Sequence, residues 1–141
     1  MSSRNEKWIM SLIDGLDKNV DEDTKAKILE QCGRQCQSQI FIKKARGIYQ
    51  KSKDINDFLD KLGQVYKHLH REGDKIYIIY PRCYCSRVNK IPKGKLSWTC
   101  CNCSRGWAKA LFEGASGRPV QVLRKETILH GDKQCKFQII L

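Results

Sequence analysis

Apolar positions in the first half of the chain recur at helical intervals. Trp8, Ile9, Leu12, Ile13 and Leu16 lie three or four residues apart, with Gly15 near the end of the run. Asp21-Glu22-Asp23-Thr24 is acidic and suits a helix start, where the exposed backbone N–H groups favour negative charge. Ile28, Leu29, Cys32, Cys36 and Ile40 continue the period, and Gly33 is expected to weaken or split that helix. Phe41-Ile42 through Ile48-Tyr49 predicts another helix. Asp54 is an N-cap candidate with Asp57 three residues on, and Ile55, Phe58, Leu59, Leu62, Val65, Tyr66 and Leu69 form an amphipathic stripe behind it. Glu72-Gly73-Asp74 ends this half as a turn.

The period then changes. Ile76-Tyr77-Ile78-Ile79-Tyr80 is β-branched and aromatic and stops at Pro81, which predicts a strand. Asn89 to Lys95 reads as a loop, and Leu96 to Thr99 as a short returning strand. Ser104 is the expected cap of a helix carrying Trp107, Ala108, Ala110, Leu111 and Phe112, closed by Gly114. Val120 to Leu123, continued by Thr127 to Leu129, predicts a strand, and His130 to Lys133 a turn. Cys135, Phe137, Ile139 and Leu141 alternate, as a strand with one buried face does. The expected fold is α+β: N-terminal helices packed on a mostly antiparallel sheet formed by the C-terminal half. One domain spans 1–141, with a helical part at 1–74 and a cysteine-rich sheet part with a pocket at 75–141.

Length and charge sharpen this picture. The chain has 141 residues and a formal charge of +12. Residues 76–141 hold twelve of the basic groups and only three acids. From Arg82 to Lys109 there are seven basic residues and no acid, and five of the eight cysteines fall there. No run approaches the roughly 20 apolar residues of a bilayer helix, and the N-terminus is not a signal peptide. A cytoplasmic protein with no membrane partner is expected. A homodimer is left open. In a reducing compartment eight cysteines point away from disulfides and towards a metal site, redox chemistry or plain burial.

The cysteines form three groups. Cys32 and Cys36 share a helix face and make a second thiol pair. Cys83-Tyr-Cys85 and Cys100-Cys101-Asn-Cys103 each present two sulfurs on one side, so two pairs make a tetrahedral zinc site. An iron–sulfur cluster ranks below zinc because the CxxCxxC run is absent. Four thiolates would leave about two negative charges on the zinc site, which the basic stretch offsets. The same stretch, interleaved with Tyr80, Trp98, Trp107 and Phe112, also reads as a lined pocket for an anionic or aromatic ligand, or as a nucleic-acid surface. His68 and His70 sit on a polar helix end, and no Ser/His/Asp triad or phosphate loop appears.

The run Cys101-Asn-Cys103-Ser-Arg-Gly106-Trp107-Ala108, then Gly117-Arg118-Pro119-Val120, then Gly131-Asp132-Lys-Gln-Cys135-Lys-Phe137 resembles the 4-vinyl-reductase-like domain superfamily. Aminothiazoline-carboxylate-hydrolase-like proteins look similar, and the whole chain looks like a small cysteine-rich prokaryotic family of this kind. The resemblance covers roughly residues 76–141. It implies a fold enclosing a small-molecule pocket, in some members with zinc beside it, and ligands at Cys101 or Cys103 and at Cys135. The pattern's further cysteine, eight residues before the last, is Thr127 here, so the remaining ligands would come from Cys83 and Cys85. The function expected is a cytosolic zinc-containing small-molecule-binding domain. The alternatives are a small hydrolase, using a metal-bound water or an activated cysteine, and a nucleic-acid-binding zinc protein.

Overall fold

A computed structural model describes residues 3–82, 85, 88–92 and 94–141. Four helices come first, each started by a side-chain cap. Ser3 accepts from Glu6 N–H ahead of α1 (Arg4–Asn19), and Asp21 from Thr24 N–H ahead of α2 (Glu22–Cys36). Ser38 accepts from Phe41 N–H ahead of α3 (Gln39–Gln50), and Asp54 from Asp57 N–H, at 2.9 Å, ahead of α4 (Ile55–Val65). The helix start expected at Asp21-Glu22-Asp23-Thr24 and the cap expected at Asp54 are therefore present.

The first departure from the expected pattern is at the end of α4. Tyr66 turns extended, and Leu69 opens strand β1 (Leu69–Glu72) instead of ending a helix. His70 thus lies on a strand, and His68 in the link before it. Gly73, at φ +65°, makes the tight turn to β2 (Lys75–Tyr80), a backbone angle that costs glycine little. Leu96 to Thr99 is not a strand: Trp98–Cys101 is a 3-10 turn that runs directly into α5 (Asn102–Ser116). That continuity makes Cys101, not Ser104, the N-cap, and α5 runs past Gly114 to a left-handed Gly117. β3 (Gln121–Glu126) stops before Thr127, whose side chain caps a second 3-10 turn (Ile128–His130). β4 (Cys135–Ile140) completes an all-antiparallel sheet of order β1-β2-β4-β3. The α+β class with helices first is the one expected from the pattern.

The larger core lies between the sheet and helices α3, α4 and α5. Ile76, Ile78, Val122, Phe137 and Ile139 meet Ala45, Phe58, Leu62, Leu111 and Phe112 there. A smaller core of Ile13, Leu29, Val88, Ile91 and Leu96 sits where α1 and α2 meet the loop ahead of α5.

Gly33 does not break α2. It is where α2 crosses α5: a Cβ there would lie 1.8 Å from the Cys103 carbonyl oxygen. Gly106 is its counterpart, with a Cβ position 1.8 Å from the Glu30 carbonyl oxygen. Only residues without a side chain allow the two backbones to approach this closely. Lys109–Glu30 at 2.8 Å and Arg34–Glu113 at 2.9 Å flank the crossing.

Candidate functional site

The α2–α5 crossing and the sheet register place the cysteines. Cys32 and Cys36 are exposed on the last turns of α2, and Cys103 is half-buried in the first turn of α5. Cys101 is buried at the N-cap of α5, where its side chain makes no cap hydrogen bond, and Cys100 is half-buried beside it. Cys135 is buried at the start of β4, paired across the sheet with Tyr80, and its Sγ accepts the Ile128 N–H at 3.4 Å. Cys85 is exposed, and Cys83 lies outside the described residues. Among the described residues, no group of three or more His, Cys, Asp or Glu side chains is placed to hold a metal ion.

Of the four aromatics expected to line a pocket, Tyr80, Trp107 and Phe112 belong to the larger core cluster. Phe112 is fully buried in the larger core. Tyr80 and Trp107 come together through Tyr66, which hydrogen-bonds the Tyr80 hydroxyl and packs at a tilt against Trp107, with ring centroids 5.9 Å apart. Burial pushes both phenols up, Tyr80 to about 12, so both stay neutral at physiological pH. His68 packs 4.7 Å from the Tyr80 ring, and its own burial lowers its pKa and favours the neutral imidazole.

Trp98 belongs to a cluster of polar and cationic side chains at the start of α5. The guanidinium of Arg124, from β3, lies 3.7 Å over the Trp98 ring, and the His130 ring packs at a tilt against Trp98, with centroids 4.8 Å apart. Arg124 and Arg105 both donate to Asn102 Oδ1, at 3.1 and 3.3 Å. Arg105 also donates to the Val122 carbonyl and lies 3.5 Å from Glu30. Arg124 is in no ion pair among the described residues. Burial lowers its pKa; the nearby Cys101 opposes that shift, and Arg105 adds to it. Two cations thus converge on one neutral amide oxygen.

A polar network anchors the turn that carries Trp98. Asp17 of α1 accepts from Thr99 Oγ1 at 2.6 Å and from Lys25 Nζ at 2.9 Å. Burial alone would raise the Asp17 carboxyl. Hydrogen bonds from Thr99, Ser97 and Lys25 outweigh that and hold it below the usual carboxylate value.

The sequence pattern put Arg105 in the basic, cysteine-rich stretch from Arg82 to Lys109 and His130 in a turn. It did not pick out Asn102 or Arg124. A lone arginine in a strand looks like any solvated position, and only the sheet's place against α5 distinguishes it.

This chain belongs to the family described as "Family of unknown function (DUF6144)". That family's model matches residues 1–141. Among solved structures, the chain is similar to the crystal structure of a trafficking protein particle complex subunit 3 from Naegleria fowleri covalently bound to palmitic acid. The TM-score is 0.58, with 16% identity over 97% of this chain and 94% of that one. At that identity the likeness is one of fold. No curated protein matches the DUF6144 chain.

Proposed function

We propose that this DUF6144 chain is a cytosolic, non-catalytic module that binds a small aromatic carboxylate at the cluster at the start of α5. The observation carrying this reading is the convergence of Arg124 and Arg105 on Asn102 Oδ1, beside the Trp98 ring. A guanidinium fork matches a carboxylate in two parallel hydrogen bonds. An anion here would relieve the repulsion between the two cations, and Trp98 and His130 offer ring faces to an aromatic body. The resemblance of the C-terminal motifs to pocket-enclosing 4-vinyl-reductase-like domains supports a small-molecule ligand.

Thermal melts with benzoate, salicylate, inorganic phosphate and palmitate test it. Palmitate enters because the Naegleria protein carries it. The expected result is stabilisation by the aromatic carboxylates that disappears in Arg124→Gln. Stabilisation by palmitate alone, or by carboxylates equally in Arg124→Gln, would replace this reading.

A zinc site is the second reading. It is favoured by the pairing of Tyr80, the last residue of β2, with Cys135 across the sheet. Elemental analysis of anaerobically purified protein decides it. One zinc per chain, lost in Cys135→Ser, supports the site, and metal-free protein with full stability removes it.

A further inference from the structure

The outer face of α3 is independent of that cluster and has a character of its own. From Gln31 to Lys53 the chain holds six basic residues and no acid. On α3, Gln39, Ile40, Lys43, Lys44, Arg46 and Gln50 are exposed, while Ile42 and Ala45 face the core. At 100° per residue, Ile40 lies between Lys43 and Lys44 around the helix, and Lys51 follows on the same side. Ile40 is 82% exposed, a large apolar side chain standing in water amid positive charge. Among the described residues, Lys43, Lys44 and Lys51 are in no ion pair. The two aromatics of α3 are turned inward, Phe41 onto Tyr66 and Tyr49 onto Phe58.

We propose that this face docks on an anionic membrane surface, with Lys43, Lys44 and Lys51 at the phosphate level and Ile40 inserted among the acyl chains. Charge complementarity selects an anionic occupant, and Ile40 selects a lipid. A nucleic acid admits an aliphatic wedge only between base steps that must first be unstacked, which costs a few kcal/mol, whereas acyl chains admit it without that cost, and the face presents no ring on which a base could stack. A basic helical face with an apolar residue at its centre is the pattern of a peripheral anchor. No helix among the described residues is long and apolar enough to cross a membrane, and this association needs none. It departs from the expectation of no membrane partner, which rested on the lack of a spanning segment.

Co-sedimentation with phosphatidylcholine vesicles, with and without about 30% phosphatidylserine, tests the proposal. Binding is expected only to the anionic vesicles. Each juxtamembrane lysine contributes about fivefold to partitioning, so Lys43→Ala with Lys44→Ala should weaken it roughly 25-fold. Ile40→Ser should weaken it about tenfold through the lost apolar burial. Lys27→Ala with Lys75→Ala removes the same charge elsewhere and should leave binding within about twofold of the parent, since it touches no part of the face. All variants should keep the parent's melting temperature, because none of the substituted side chains is buried. Equal losses from both lysine pairs, or full binding by Ile40→Ser, would overturn the proposal in favour of diffuse charge attraction. Displacement from the vesicles by a 20-base-pair DNA duplex whose binding ignores Ile40→Ser would overturn it in favour of nucleic acid.

Discussion

The two cores of this protein are built differently. The larger one is closed by hydrogen-bonded strands on one side and by three helices on the other, and Phe58, Leu62, Leu111 and Phe112 are wholly excluded from water in it. The smaller one sets Val88, Ile91 and Leu96 against Ile13 of α1 and Leu29 of α2, with Ile9, Met10 and Leu16 of α1 packed around them. The larger core is held by repetitive backbone pairing, the smaller by a few apolar contacts and the Asp17–Thr99–Lys25 network. The proposed ligand site stands at the edge of the second region. Local opening concentrates where buried contacts are few, and binding elements are drawn from such regions.

The largest effect should come from the larger core. Phe112→Ala is expected to cost about 4 kcal/mol in denaturant unfolding, with loss of the whole fold in one transition. Gly33→Ala comes next, at about 3 kcal/mol, because the added methyl meets the Cys103 carbonyl and α2 must lift off α5. Leu96→Ala should cost about 2 kcal/mol. Hydrogen exchange should then quicken in Trp98–Cys101 and leave β2 and β4 protected, which would separate the two regions directly.

Acid should also tell them apart. The folded Asp17 carboxyl titrates below its unfolded value, so its contribution is complete above a pH of about 4. It is lost as the pH falls through the lower, folded value. Exchange at Thr99 should therefore rise in that window before the sheet melts, and Asp17→Asn should show the same loosening at neutral pH. The smallest effect is a gain. Gly15 lies within α1 with nothing within 4 Å of its Cβ position, so Gly15→Ala should stabilise by about 0.7 kcal/mol in thermal melts.

The sequence pattern conveyed the parts governed by local chemistry. Asp21 and Asp54 announce their helices because a carboxylate ahead of an apolar run satisfies open N–H groups. Ile76 to Tyr80, and the alternation from Cys135, announce strands for the reasons that make β-branched pleats pack. What the pattern concealed depends on distant partners. Leu69 continues the helical stripe of α4, yet it pairs with Ile78 across a hairpin. Gly33 carries a poor helix propensity that tertiary contact overrides, since the helix survives in order to meet α5. The candidate site was less legible still. The cysteines advertise themselves by spacing, whereas Arg124 and Asn102 become partners only when β3 lies against the start of α5.

The most direct test of the proposed ligand site is to follow the three indole N–H resonances of uniformly labelled protein during a benzoate titration. The account predicts a saturable shift of the Trp98 signal, none at Trp8, and no movement of Trp98 in Arg124→Gln. A Trp98 signal that stays in place, or moves as far without the Arg124 guanidinium, would contradict it.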